Sequence, residues 1–173
     1  MYNSNTGLCT LGSFLKSGEF GIALAPNSTE GDLFALSSCD TRDGFSWVTS
    51  GSLSACIMIP NFKTNYFGAR KFCLDLGAHL YVSRSIEGFY LLPNHTNYII
   101  GLTDIASEGT FVWEDSGTEI TEDLTKLLFR PGEPNNAKGE HCVVVRPNKK
   151  DNFANDFNCK KDKLNFACQR PIN

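Results

Sequence analysis

The sequence predicts a single α+β domain that is cross-linked by disulfide bonds. Two helical segments and several strand-like segments that do not alternate with them favour this class of fold. The 173 residues include seven cysteines, none in a CxxC pair, which is typical of a disulfide framework from an oxidising compartment. A chain of this length holds one well-buried core and is too short for two ordinary domains.

Residues 1–45 are predicted to form an extension, and residues 46–173 the main domain. The extension is rich in Ser, Thr and Gly and carries only short apolar runs. Because it is too small to hold a core alone, we expect it to pack on the main domain or to act as a neck or linker. Its first five residues do not resemble a signal peptide, so we expect a mature or recombinant form of a secreted protein.

Two helices are predicted in the first half of the main domain. Residues 63–76 show apolar side chains at a spacing of three to four, which places them on one helical face. That face comprises Tyr66, Ala69, Cys73 and Leu76. Gly77 is expected to end this helix. Ser83 or Ser85 is expected to cap a second helix that extends through Leu92.

Six strand-like segments accompany the helices. They cover residues 55–59, 79–82, 98–102, 110–113, 142–145 and 164–168. Between Trp113 and Glu140 the sequence shows neither helical nor strand periodicity. An irregular stretch of that length inside a compact domain usually indicates function.

The most informative part of this stretch is Glu133-Pro134-Asn135-Asn136, followed by Glu140. Carboxylate and amide oxygens suit Ca²⁺, whereas Zn²⁺ or Cu²⁺ calls for closely spaced His and Cys. A cis bond before Pro134 is one way to turn two adjacent side chains toward one point. The alternative is a polar surface turn, in which Pro and Asn are common for unrelated reasons.

Composition and motifs exclude several other functions. The formal charge of -3 argues against nucleic acid as a partner. No apolar run of about 18 residues occurs, so no membrane span is predicted. There is no G-x-S-x-G stretch, no His-x-x-x-His pair and no Gly-rich phosphate loop, and we therefore expect no enzyme. Two glycosylation sequons, at Asn27 and Asn94, agree with an extracellular location.

Taken together, several motifs resemble a C-type lectin domain over about residues 45–171. They are Gly101-Leu102-Thr103-Asp104, Glu108-Gly109, Trp113, Glu133-Pro134-Asn135, Glu140-His141-Cys142, Asn155-Asp156 and Cys168. The resemblance implies a C-type lectin-like fold with two helices, antiparallel sheets and a long irregular loop region that binds Ca²⁺. It further implies a binding protein for sugars rather than an enzyme.

The resemblance also implies the residues that hold Ca²⁺ and sugar. These are Glu133, Asn135, Glu140, Asn155 and Asp156. The Glu-then-Asn order around Pro134 resembles the mannose-type members, so mannose-type glycans on cell or microbial surfaces are the expected partners. The alternative is a member that keeps the fold and binds a protein without sugar. The intact set of five Ca²⁺ ligands argues against this alternative.

Two positions depart from the family pattern. Ala154 stands where a Trp is usual before the Asn-Asp pair, and we expect Phe153 or Phe157 to compensate. His141 stands where members with an auxiliary Ca²⁺ site carry an Asp, and imidazole is a poor ligand for this hard cation. The remaining residues that match the auxiliary site are Asp104, Glu108 and Asn136. The alternative for Asp104 and Glu108 is that they face water at the end of a strand.

The resemblance also implies a set of disulfide bonds. Cys73 pairs with Cys168, and Cys142 pairs with Cys159. Of the three pairings open to the remaining cysteines, Cys39 with Cys56 is favoured, because long-form members have an upstream bond of this kind. Cys9 is then left over, and an odd cysteine in a secreted chain suggests a disulfide-linked homodimer.

Overall fold

The first and last described strands lie in the same sheet, so the two ends of the domain are close together. The computed structural model describes residues 38–148 and 153–172. Its elements, in order, are a 3₁₀ helix Arg42–Gly44, β1 Ser46–Ser50, β2 Leu53–Met58, α1 Tyr66–Asp75, β3 His79–Leu80, a 3₁₀ helix Glu87–Leu91, β4 Tyr98–Thr103, β5 Val112–Trp113, α2 Glu122–Leu128, β6 Cys142–Val145, β7 Ala154–Phe157, β8 Asn165–Phe166 and β9 Cys168–Arg170.

The strands form two sheets. The first has the order β1-β2-β9-β3, and the second has the order β5-β4-β6-β7, with β8 paired to β4. All pairs are antiparallel except β4 with β8. This arrangement confirms the predicted α+β class with two helices and antiparallel sheets. It also places the end of β4, the start of β6 and β7 beside one another, which is where the candidate site residues lie.

Helix α1 confirms the first predicted helix, although it begins three residues later than expected. The side chain of Asn65 accepts a hydrogen bond from the Gly68 amide at 3.0 Å, and this cap sets the start. Tyr66, Ala69 and Cys73 are buried, as their spacing predicts, and Leu76 is half-buried. Gly77 has a φ of +66°, a conformation that glycine adopts without steric cost and that ends the helix.

The second predicted helix was wrong in position. The segment expected to be helical through Leu92 forms only a short 3₁₀ helix with Ile86 at its N-cap position and no side-chain cap, although the Ser85 hydroxyl just before it accepts the Gly88 amide at 3.3 Å. Helix α2 instead lies within the stretch predicted to be irregular, and it begins at a cap from Thr121 to the Leu124 amide at 3.3 Å. With only two buried side chains in seven residues, it is too short to produce a clear helical period.

All six predicted strand segments contain a strand, but two further strands were missed. The segment 164–168 is split into β8 and β9, and β1 and β7 were not predicted. Strand β7 has the polar sequence Ala-Asn-Asp-Phe, yet Asp156 and Phe157 are buried because all four residues pair with β6. Pairing with a neighbour rather than intrinsic preference therefore determines this strand.

The core is filled without the Trp that is usual in the family at the position of Ala154. Ala154 is buried, and Phe153 packs edge-on against Phe89 with ring centroids 5.8 Å apart. Phe157 is also buried, in a different hydrophobic cluster from Phe153. Both of the phenylalanines expected to compensate therefore lie in the core.

Three disulfide bonds confirm the predicted pairings. Their Cα–Cα distances are 5.2 Å for Cys39–Cys56, 5.3 Å for Cys73–Cys168 and 5.3 Å for Cys142–Cys159. Cys9 and most of the predicted extension lie outside the described residues, so the division at residue 45 stays a prediction. Within the described residues, no helix has the length and apolarity needed to cross a membrane.

Candidate functional site

The candidate site is built where the loop after α2 lies against β7. Glu133, Asn135 and Glu140 are on the loop, and Asn155 and Asp156 are on the strand. The Asp156 carboxylate accepts the Asn135 amide at 3.3 Å on Oδ1 and the Asn136 amide at 2.7 Å on Oδ2. One fully buried side chain of the strand therefore fixes the position of the loop.

Within the loop, two asparagine side chains form tight local hydrogen bonds. The side-chain oxygen of Asn135 accepts the Ala137 amide at 2.7 Å, and that of Asn136 accepts the Glu140 amide at 3.0 Å. The Glu133–Pro134 peptide bond is cis. These bonds bring Glu140 back toward Glu133, although seven positions separate them in the sequence.

Burial and mutual repulsion both disfavour the charged forms of the carboxylates in this site. Burial raises the pKa of Glu133 above its ordinary value, and the adjoining carboxylates of Asp156 and Glu140 raise it further. Burial likewise raises the pKa of Glu140, together with the charges of Asp156 and Asp162, while Lys138 acts in the opposite direction. The charge of Asp156 thus acts on both Glu133 and Glu140, at a cost to their negatively charged forms.

The residues present fit a bound Ca²⁺. Oε2 of Glu133 is buried and has no hydrogen-bond partner among the described residues. Because buried polar atoms normally have a partner, this oxygen is free to bind a cation. The donor set consists of carboxylate and amide oxygens, which Ca²⁺ prefers. Asn155 uses its amide nitrogen to donate to the Asp156 carbonyl at 2.8 Å, and that bond does not involve its side-chain oxygen.

A second cluster lies beside the first, at the end of β4. Nδ1 of His141 is 3.1 Å from Asp104 Oδ1 and 3.3 Å from Glu108 Oε2. Asp104 is 2% exposed, so the alternative in which it faces water is wrong for this residue, whereas Glu108 is exposed. Asn136, which the resemblance implies for this cluster, uses its side-chain oxygen to accept the Glu140 amide.

Two residues near the loop were not singled out from the sequence. Asn158 donates a side-chain hydrogen bond to the Gly139 carbonyl at 3.3 Å, and Asp162 contributes to the raised pKa of Glu140. The predicted bond between Cys142 and Cys159 was the available signal, because it brings residues 158–162 next to the loop.

Comparison with known proteins identifies the family to which these features belong. The family description "Lectin C-type domain" matches residues 62–170. "C-type lectin domain family 4 member K" of Mus musculus is 36% identical over 110 residues, which cover 61% of this chain and 32% of that protein. The chain thus spans about a third of the length of this relative.

Solved structures give the same result. The "Trimeric structure of Kupffer cell C-type lectin receptor Clec4f" has a TM-score of 0.60 and 28% identity, covering 72% of this chain and 82% of that chain. The C-type lectin domain of murine dendritic cell inhibitory receptor 2, solved in complex with an N-glycan, has a TM-score of 0.57 and 29% identity, covering 71% and 94%. Proteins of this kind generally bind Ca²⁺ and are generally not enzymes.

Proposed function

The chain belongs to the C-type lectin family, and from this premise we propose that it is a Ca²⁺-dependent lectin for mannose-type sugars. The observation that supports the proposal is the convergence of Glu133, Glu140 and Asp156, with a buried oxygen of Glu133 lacking a partner. Ca²⁺ bound there would neutralise the carboxylates and accept two neighbouring sugar hydroxyls as ligands.

The protein residues would add a second set of contacts to the same hydroxyls. Carboxylates such as Glu133 and Glu140 accept hydrogen bonds from the hydroxyl protons, and the amide groups of Asn135 and Asn155 donate to the hydroxyl lone pairs. Each hydroxyl would then both coordinate Ca²⁺ and form hydrogen bonds with the protein. The buried Asp156 holds the loop in register, so that the donors and acceptors stay in place.

The mannose preference rests on the order of Glu133 and Asn135 around Pro134. This order resembles the members that select equatorial vicinal hydroxyls. A similar domain has been solved in complex with an N-glycan, which supports a glycan as the partner here. The three disulfides support a secreted or extracellular location.

The decisive experiment is a glycan array probed with and without EDTA, combined with chromatography on mannose-agarose. We expect the protein to be retained in Ca²⁺ and released by EDTA. Binding should recover when Ca²⁺ is returned but not when Mg²⁺ is, because Mg²⁺ is smaller and requires a stricter octahedral geometry. If EDTA leaves sugar binding unchanged, or if no glycan binds in Ca²⁺, the proposal is wrong and a protein ligand becomes the better candidate.

Useful affinity would require several copies of the domain. An open site holds one monosaccharide weakly, with a dissociation constant on the order of 1 mM, or about 4 kcal/mol. Covalent pairing through Cys9 would supply a second site and raise the avidity. Non-reducing gels should then show a dimer that is lost in Cys9→Ser, whereas a monomeric wild type would contradict this pairing.

A further inference from the structure

We propose that Asp104, Glu108 and His141 form a separate site for a divalent metal of the Zn²⁺ type. One nitrogen and two carboxylate oxygens from these residues all lie within 4.8 Å of one another. This set differs in kind from the sugar site, where the ligand atoms are all oxygens. The inference does not depend on sugar binding.

The backbone holds two of the three ligands in fixed positions. Asp104 directly follows β4 and His141 directly precedes β6, and the pair Thr103–Cys142 joins these strands at that point. The Asp104 amide also donates to the His141 carbonyl at 3.2 Å. The end of the ladder between the two central strands therefore brings the imidazole and the carboxylate together without a bound metal.

Asp104 is also oriented by a second contact. Its Oδ2 accepts the Gly109 amide at 2.8 Å, which leaves Oδ1 directed at Nδ1 of His141. Hydrogen bonds of this kind commonly orient carboxylates that bind metals and strengthen the site. The same turn carries Glu108, and its closing residue Gly109 has a φ of +77°.

The ligand chemistry favours a borderline metal over Ca²⁺. A neutral imidazole nitrogen is a good ligand for Zn²⁺ and a poor one for hard cations. Zn²⁺ sites with three protein ligands keep a fourth position for water or an external ligand. The side chains of Glu108 and His141 are 54% and 36% exposed, so the open side of this cluster faces solvent.

Calorimetry with Zn²⁺ on untagged protein, at saturating Ca²⁺, tests the assignment directly. All proteins carry Cys9→Ser, which removes a competing thiol ligand. We expect one Zn²⁺ per chain, with affinity reduced by about tenfold or more in His141→Asn and in Glu108→Gln. The matched controls are His95→Asn, at an exposed residue with a φ of +65°, and Glu119→Gln, also exposed; both should retain wild-type Zn²⁺ affinity.

A reciprocal variant tests the choice of metal. His141→Asp replaces the nitrogen by oxygens, so it should weaken Zn²⁺ by a similar factor and add a second Ca²⁺ per chain. With Co²⁺ as the probe, visible absorption bands should appear in the wild type and disappear in His141→Asn. These bands report on the ligands themselves.

Three outcomes would overturn the assignment. They are absence of Zn²⁺ binding, equal Zn²⁺ affinity in the wild type and His141→Asn, and loss of Zn²⁺ binding in Glu133→Gln, which would place the metal in the sugar site. Retained Zn²⁺ binding in a protein that binds no glycan would contradict only the proposed lectin function.

Discussion

The two acidic clusters meet at the consecutive residues Glu140 and His141 but balance their charge differently. Around Glu133 the side chains offer carboxylates and no nitrogen ligand, and burial, followed by the charge of Asp156, raises the pKa of Glu133 and of Glu140. Around Asp104, the imidazole of His141 contacts both carboxylates. Two consecutive residues therefore give neighbouring clusters different ligand atoms: Glu140 adds a carboxylate to one, and His141 adds an imidazole nitrogen to the other.

The largest expected effect comes from Asp156→Asn, which should reduce both Ca²⁺ and sugar affinity by about a hundredfold, or about 3 kcal/mol. The substitution removes a charged oxygen and replaces one of the two acceptors of the Asn135 and Asn136 amides by a donor. Calorimetry with Ca²⁺ and then with mannose measures both losses.

The matched control for this change is Asp104→Asn, in the other cluster. It should leave mannose affinity within about twofold of wild type, because the Asp104 carboxylate contacts Gly109 and His141 rather than the residues proposed to hold the sugar. An equal loss of sugar binding in both variants would show that the two clusters work as one site.

A smaller effect is expected from the double change Glu133→Gln and Asn135→Asp. It keeps shape and oxygen count nearly constant while exchanging an acceptor with a donor, so mannose affinity should fall about tenfold, given that charge-assisted hydrogen bonds contribute about 1.5 to 3 kcal/mol each. Competition of immobilised mannan by free mannose and galactose gives the preference. Unchanged mannose preference in a variant that still binds Ca²⁺ would mean that the sugar site lies elsewhere.

The raised pKa values predict a pH dependence of stability in calcium-free protein. A Glu133 pKa raised in the folded state adds stability below its ordinary value of 4.5, and this contribution is lost as pH rises through the raised pKa. Melting in EDTA should therefore show Glu133→Gln gaining stability relative to wild type as the pH rises above the ordinary Glu pKa of 4.5. Glu119→Gln is the exposed control, and parallel pH profiles for wild type and Glu133→Gln would contradict the repulsion.

The smallest effect is expected from Glu108→Gln on stability. Its contact with His141 is solvent-exposed, and even charged pairs in such positions contribute about 0 to 1 kcal/mol. The free energy of unfolding should change by no more than about 0.5 kcal/mol in the absence of Zn²⁺. A larger loss would indicate that the second cluster holds the β4–β6 edge together without metal.

The sequence predicted the parts of the fold that carry strong local signals. Helix α1, the strand β6 and the three disulfides were found where expected, because the apolar period, the valine run and the cysteine positions are local features or family motifs. Helix α2 and strand β7 were missed. Their formation depends on the burial of Leu124 and Leu128 and on the pairing of β7 with β6, which no single segment reveals.

The candidate site shows the same limit. The residue types around Pro134 indicated a Ca²⁺ site, and the structure brings Glu133, Glu140 and Asp156 close enough to affect one another. The role of Asp156 in holding the loop was not predicted. It depends on hydrogen bonds from two backbone amides 21 and 20 positions away, which form only in the folded chain. The contact of His141 with Asp104 likewise follows from strand register.

The two sides of the sugar site are fastened by bonds of different strength. Strand β7 is paired with β6 along four residues and is closed by the disulfide Cys142–Cys159, whereas the loop relies on hydrogen bonds to Asp156. If Ca²⁺ binds there as proposed, its release would leave β7 held by β6 and the disulfide, and only the loop would have to reorder, on the time scale of about nanoseconds to microseconds that is usual for loop motions. On that proposal the domain would release and rebind Ca²⁺ repeatedly without unfolding β7.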